Sequence, residues 1–151
     1  MYGVTITEII KKMGFQNLTP ELDTDKIVVS HPDINRPALQ LTGFYDHFDN
    51  ERVQLMGNVE MAYLSGLSKE HRMAMYDKLI ASKIPCIVFC RNMKPEEEVL
   101  ELCDHYGVPC LLSTKTTSDV MAEIIRWLNV ELAPCISVHG VLVDVYGEGL
   151  L

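Results

Sequence analysis

Basic residues and long apolar runs are both scarce in this sequence. Lys and Arg total 13 against 21 Asp and Glu, which gives a net charge of −8 over 151 residues. A generic nucleic-acid binder gains most of its affinity from basic clusters, so that class is disfavoured. The longest apolar run, Ile84 to Cys90, is far shorter than the roughly 20 residues that span a bilayer. No secretory signal pattern opens the chain. We therefore expect a cytoplasmic protein that partners neither nucleic acid nor membrane.

Three motifs that carry chemistry are also missing from the 151 residues. There is no G-x-S-x-G nucleophile elbow, no H-E-x-x-H zinc pair and no G-x-x-x-x-G-K-[ST] phosphate loop. We expect no metal and no cofactor to bind within this sequence.

The cysteines are five in number, which is odd, and they lie in apolar segments. Cys86 and Cys90 would stand about 13 Å apart on one face of a strand, too far to share a zinc ion or a disulfide. Cys86 and Cys110 could lie on adjacent strands, but without further ligands at a recognisable spacing. We expect reduced thiols that pack in the core.

What the sequence does contain predicts an α/β fold with a mixed, largely parallel sheet and flanking helices. Hydrophobic residues make up 48% and charged residues 23%, as in a globular protein. Residues 84–113 read as a strand, a helix from Pro95 to Tyr106 and a second strand, which is a βαβ unit with parallel strands. The other expected helices are 6–13, a short one from Pro37 stopped by Gly43, 59–64, 69–81 and 117–131, and the other expected strands are 26–30 and 52–56.

The final stretch, 133–151, reads as the start of a second, β-rich unit. Pro134 breaks the last helix, and two β-branched runs flank His139-Gly140. We place a domain boundary between an α/β body at 1–132 and this segment at 133–151. A sheet that ended here would leave an unpaired apolar edge, so we expect the sequence to be a fragment.

Few side chains are candidates for chemistry. Arg36 and Arg52 could clamp an anion, although pairing with Asp33, Asp46 or Glu60 is the more common arrangement for such residues. Asp46, Asp49 and Glu51 could supply paired carboxylates, but a charged, solvated turn is the simpler interpretation. His139, beside a glycine at a strand break, could act as an acid or a base, or it could be a packing residue.

A resemblance to a known family rests on four segments. They are R-P-A-L-Q-L-T-G-F at 36–44, E-R-V-Q-L-M-G at 51–57, L-A-P at 132–134 and H-G-V-L-V-D-V-Y-G at 139–147. In order and spacing the whole chain resembles the bacterial HPr kinase/phosphorylase family. One departure is Ala38, where the family commonly has glycine.

The resemblance implies an N-terminal accessory domain, similar in fold to the N-terminal domains of Mur ligases, and the first strands of a catalytic domain. The parent enzyme would use ATP or pyrophosphate, with Mg, to phosphorylate a serine of HPr, and would reverse the reaction in carbon catabolite regulation. Its implied partners are HPr, its own catalytic domain and further copies of itself as a homo-oligomer. His139 matches an active-site histidine of the family, and the resemblance places no other catalytic residue in this sequence.

Two alternatives remain open. The chain could be a stand-alone cytoplasmic binding or sensory module that uses the same fold. It could also be a small-molecule enzyme with its site at the carboxyl ends of parallel strands, near Arg91-Asn92 and Ser113-Thr114.

Overall fold

The computed structural model describes residues 3–133, which form six helices and seven strands. The helices are α1 (Ile6–Met13), α2 (Ala38–Leu41), α3 (Asn58–Ser65), α4 (Lys69–Ile80), α5 (Glu97–Tyr106) and α6 (Thr117–Glu131). The strands are β1 (Val4–Thr5), β2 (Gln16–Asn17), β3 (Val28–Val29), β4 (Ile34–Asn35), β5 (Val53–Met56), β6 (Ile87–Phe89) and β7 (Cys110–Leu112).

Side-chain caps fix the ends of several helices. At the start of α1, Thr5 Oγ1 accepts a hydrogen bond from Glu8 N at 3.1 Å, and Thr5 N donates to Glu8 Oε1 at 2.8 Å. Gly14 ends the same helix with φ 70°, a left-handed conformation that glycine adopts without strain. Ser68 caps α4 by accepting from His71 N at 3.1 Å. These are short-range signals, and the predicted helix 6–13 is confirmed to the residue.

The main sheet has five strands in the order β2-β7-β6-β5-β4. The strands β4, β5, β6 and β7 are parallel, and β2 pairs with β7 in the antiparallel direction. A separate two-stranded antiparallel sheet joins β1 to β3. The predicted βαβ unit and the largely parallel sheet are therefore confirmed.

Alternate side chains of the central strands enter two separate cores. Val88 of β6 lies in the core that contains α1 and α6, whereas Ile87 and Phe89 lie in the core that contains α2 to α5. All three are fully buried. Because both faces are covered, β6 and β7 are apolar throughout instead of alternating with polar residues, and in β5 the polar Gln54 is itself fully buried.

Some expected elements differ from those observed. Helix α5 begins at Glu97 rather than Pro95, because Glu96 is still extended with ψ 155°. The strand expected at 26–30 is reduced to Val28–Val29. Strands β1, β2 and β4 were not predicted, and each of them is only two residues long. Such short strands are defined by their partners rather than by their own composition.

Helix α6 ends at Glu131, close to the expected boundary at 132. The boundary itself and the segment 133–151 as a unit stay predictions, because residues 134–151 lie outside the described part of the chain. Between residues 3 and 133, none of the helices is long and apolar enough to cross a membrane.

The two-sided core generates a stability prediction. Leu55 of β5 is fully buried, so Leu55→Ala should lower the free energy of unfolding by about 2–5 kcal/mol through lost burial and a residual cavity. Urea unfolding followed by circular dichroism measures the change. The matched control is Leu39→Ala, at a side chain that is 60% exposed, which should change stability by less than about 0.5 kcal/mol. Equal changes in the free energy of unfolding for the two variants would contradict the burial of Leu55.

Candidate functional site

The carboxyl ends of the four parallel strands meet in one polar cluster. We define the carboxyl-edge cluster as Arg36, which follows β4, Gly57 after β5, Glu60 in α3, Cys90 after β6 and Thr117 at the start of α6. Parallel sheets commonly bind ligands at this edge, because the loops that leave successive strands converge there.

Glu60 lies at the centre of the cluster. Its side chain is 2% exposed, and its Oε1 accepts hydrogen bonds from Arg36 Nη2 and from the backbone N of Gly57, each at 2.8 Å. A buried carboxylate needs such partners, since an unpaired charge in the interior is costly. The pair therefore ties the end of β4 to the start of α3.

Gly57 is required here by close approach. Its backbone is extended, with φ −124°, so its conformation is open to other residues. A Cβ atom at this position would lie 2.5 Å from Thr117 Oγ1 and 2.7 Å from Arg36 Nη2. These contacts show that the Arg36 and Thr117 side chains converge on one point above the end of β5.

Arg36 Nε is buried and has no hydrogen-bond partner. The Thr117 hydroxyl is buried as well, in a residue that is only 6% exposed, and its neighbour is the Cys90 thiol. Burial raises the pKa of the neighbouring Cys90 thiol, while the Thr117 hydroxyl and the charge of Arg36 partly oppose that shift. A thiol with a raised pKa stays protonated at neutral pH, so Cys90 is not an activated nucleophile.

The loops beside the cluster hold Arg91 and Asn92 in the left-handed region, with φ values of 59° and 58°. Asn92 N donates to Ser113 O at 2.7 Å, and Arg91 N donates to Lys115 O at 2.8 Å. The loops after β6 and β7, which were predicted to hold a small-molecule site, are therefore hydrogen-bonded to each other at the same edge of the sheet. Thr114 is exposed.

The other candidate side chains have structural roles. Arg52 lies 3.9 Å from Asp33 and 3.6 Å from Asp49, and Arg36 pairs with Glu60, so the ion-pair interpretation of both arginines is confirmed. Asp49 also contacts His31 at 3.1 Å.

The core-thiol interpretation holds for the cysteines that the structure describes. Cys86, Cys90, Cys103 and Cys110 are free and fully buried. Burial raises the pKa of Cys86 to about 12. Cys110 pairs in register with Ile87, so Cys86 and Cys110 are on adjacent strands, as expected. Among residues 3–133, no group of three or more His, Cys, Asp or Glu side chains is arranged to hold a metal ion.

His139, the active-site residue implied by the resemblance, lies outside the described residues and stays a prediction. The cluster around Glu60 was missed as a unit by sequence reasoning. Its only sequence signals were the possible Arg36–Glu60 pair and the position of Gly57 directly after the predicted strand 52–56.

Two surface clefts lie away from the cluster. One, of about 370 Å³, is between α1 and α6 and includes Met13 and Trp127. The other, of about 360 Å³, is between α3 and α4 and the loop before α5. In the second cleft Arg72 donates to both carboxylate oxygens of Glu96 at 2.8 Å. These two opposite charges are therefore already paired with each other.

The fold and the edge cluster define an α/β domain of the parallel-sheet class. A solved structure of the same fold is the crystal structure of the CBS and DRTGG domains of the regulatory region of Clostridium perfringens pyrophosphatase, complexed with the activator diadenosine tetraphosphate. The match has a TM-score of 0.60 and 12% sequence identity, and it covers 84% of this chain and 48% of that chain. At this identity the likeness concerns the fold alone.

The family model described as HPr Serine kinase N terminus matches residues 4–128, and the chain belongs to this family. An HPr kinase/phosphorylase of Lachnoclostridium phytofermentans is 54% identical over 151 residues, covering 100% of this chain and 49% of the relative. The corresponding enzyme of Caldicellulosiruptor bescii is 40% identical with the same coverage, and that of Listeria monocytogenes is 32% identical over 149 residues. The chain thus spans about half the length of the curated relatives it matches.

The close approach at Gly57 generates a second prediction. Gly57→Ala should destabilise the domain by about 1–3 kcal/mol, because the added methyl group meets Arg36 and Thr117 below contact distance. The control is Gly66→Ala, where the nearest atom is Tyr63 O at 3.5 Å, an ordinary contact. Urea midpoints of the two variants measure the difference, and a Gly57→Ala domain as stable as the control would contradict the geometry.

Proposed function

We propose that this chain is the N-terminal accessory domain of an HPr kinase/phosphorylase and serves its assembly or regulation. The observation that carries the proposal is the family match over residues 4–128, together with relatives that align with the whole of this chain under that enzyme name. On this proposal the parent enzyme is cytoplasmic and homo-oligomeric. It phosphorylates and dephosphorylates a serine of HPr in carbon catabolite regulation.

Apart from His139, the phosphoryl-transfer machinery is proposed to lie outside residues 1–151. Phosphoryl transfer depends on positioning and on neutralising charge, mostly through a phosphate loop and metal ions. No G-x-x-x-x-G-K-[ST] motif occurs in the sequence. ATP or pyrophosphate and Mg would therefore be bound by other parts of the parent enzyme, with His139 contributing to the active site.

A second candidate function is a stand-alone binding or sensory module. It is favoured by the fold match, because the matched crystal structure is of the regulatory region of a pyrophosphatase with an activator bound. The reading frame after Leu151 separates the two candidates. A phosphate-loop motif downstream supports the accessory-domain proposal, and a stop codon supports the stand-alone module.

The isolated chain should be unable to transfer a phosphoryl group to HPr. The purified 151-residue chain, incubated with HPr, Mg and γ-labelled ATP, should transfer no label above a buffer blank, since it lacks a phosphate loop. The complete enzyme is the positive control. Label on HPr from the chain alone would overturn the proposed division of labour.

The accessory role has its own test. The complete enzyme lacking residues 1–132 should keep measurable transfer but change its assembly state by sedimentation or its response to effectors. If the truncated enzyme matched the complete one in assembly and response, the assembly or regulatory role would be wrong.

A further inference from the structure

Four of the six large apolar side chains that are exposed among residues 3–133 belong to α2, α3 and the turn after α2. Leu39 and Phe44 are 60% and 48% exposed. Val59 and Tyr63 lie one turn apart in α3 and are 65% and 39% exposed. The remaining two stand singly on α5 and α6. Single exposed apolar residues are ordinary, whereas a group of them commonly marks an interaction surface.

The two apolar pairs lie on the same side of the sheet. Helices α2 and α3 pack against each other, and both contribute to the core that contains α2 to α5. Arg36, just before α2, donates to Glu60 of α3 at 2.8 Å, and Phe44 N donates to Leu39 O at 3.1 Å. The exposed side chains of the two helices therefore adjoin on the outer surface of this layer.

This surface carries no exposed charge. No charged residue occurs in the segment 37–45, and the one charged residue of the segment 53–67 is Glu60, which is 2% exposed and paired with Arg36. The other exposed residues of the two segments are small or polar but uncharged, namely Thr42, Gly43, Asn58, Ala62, Ser65 and Gly66. We call these six residues and the four apolar ones the neutral face. It lies on a chain whose net charge is −8.

The neutral face has the composition of a small interface, with an apolar centre and an uncharged rim. Large side chains of this kind present roughly 150–250 Å² each when fully accessible, so the four leave on the order of 400 Å² of apolar surface. The largest apolar patch on a typical monomer is about 300–600 Å² and is often functional. Two such centres together stay below the roughly 1,200 Å² at which stable complexes begin, so a contact made here is weak and reversible.

The chemistry of the face selects its partner. A charged surface would lose its hydration against the neutral face without gaining a counter-ion. A second copy of this chain presents the same apolar, uncharged surface, and a two-fold arrangement brings each face against its counterpart. Other surfaces of the domain are acidic, such as the groove between α4 and α5 that is lined by Glu70, Asp77 and Glu101. At the neutral face two copies approach without like-charge repulsion.

The chain that continues from α6 is less well placed to cover this face. Helix α6 belongs to the core that contains α1, on the opposite side of the sheet from α2 and α3. Its 15 residues run about 22 Å away from the carboxyl edge at which α3 begins. A segment that continues from α6 has to pass around the sheet to reach the neutral face, whereas a second copy does not.

We propose that the neutral face is a self-association surface, through which two copies of this domain pair about a two-fold axis with a Kd on the order of 100 µM. Its use in the assembly of the parent enzyme rests on the proposed function. Self-association is measured on the chain alone, so its failure would leave the accessory role standing. Failure of the accessory role, tested by removing residues 1–132 from the enzyme, would equally leave self-association standing.

Sedimentation velocity of the complete 151-residue chain, from roughly 10 µM to roughly 1 mM, tests for the dimer. The weight-average sedimentation coefficient should rise with concentration from the monomer value towards the dimer value. In ¹⁵N NMR spectra over the same range, the amide signals of Leu39, Phe44, Val59 and Tyr63 should shift more than those of α6. A chain that is still monomeric at about 1 mM overturns the proposal. A dimer whose shifts map to another surface overturns it as well.

Val59→Asp separates the neutral face from general self-association. It places like charges on both copies at the contact, so it should weaken association about tenfold or more. Val59 lies in the first turn of α3, where the helix dipole favours an acidic residue, so the urea midpoint should not fall. The matched control is Val130→Asp, at a valine that is 67% exposed on α6, which should leave the Kd unchanged. Equal weakening by the two variants, or none by Val59→Asp, overturns the proposal.

Other occupants of the neutral face give different results. Binding of a monomeric chain to phosphatidylcholine vesicles, abolished by Val59→Asp, would assign the face to a lipid surface. Protection of residues 39–44 and 58–66 from hydrogen exchange in the complete enzyme, with no dimer of the 151-residue chain, would assign it to the rest of that enzyme. Either result overturns self-association.

Discussion

The buried carboxylate of Glu60 is the interaction on which the functional edge of this domain depends. It is 2% exposed and accepts from both Arg36 and the backbone of Gly57 at 2.8 Å. Removing the Arg36 side chain would leave the Glu60 carboxylate without a counter-ion in the interior, which costs roughly 3–5 kcal/mol. Glu60 therefore fixes the positions of three elements relative to one another, namely the end of β4, the end of β5 and the first turn of α3.

The parallel sheet extends the effect of the Glu60 contacts beyond α3 to the other loops at the same edge. Strands β4 to β7 lie side by side and run in the same direction, so the loops that follow them all reach one edge. Helix α6 begins there, and its Thr117 comes within contact of the Gly57 position. A buried ion pair, a close-packed glycine and the buried Thr117 thus share one site, although they come from three separate segments of the chain.

The solved structure shares only its fold with this chain, whereas the relatives in the family also share much of its sequence. At 12% identity the pyrophosphatase regulatory region shares the chain path, which shows that this path tolerates nearly complete sequence replacement. The family model covers residues 4–128, a range that contains the whole cluster, and the Lachnoclostridium phytofermentans relative is 54% identical over the chain. Because this chain covers about half of those relatives, the chemistry of the complete enzyme and the role of this domain within it are distinct questions.

Local chemistry in the sequence was enough to determine the longer helices, the βαβ unit and the covered, largely parallel sheet. Caps such as Thr5 and Ser68 act within one turn, so their effect can be predicted without the fold. Strands β1, β2 and β4 were missed because two residues carry no periodicity, and they exist only through pairing with β3, β7 and β5.

Arg36 and Arg52 each had more than one acid within reach along the chain, and only the tertiary structure selected Glu60 for the first and Asp33 and Asp49 for the second. Thr117 stands 60 positions beyond Gly57 in the sequence, and no local pattern connects them. Helices and strands follow from short-range forces that each segment contains, whereas the candidate site arises from contacts between segments. It becomes defined only when the sheet brings those segments to one edge.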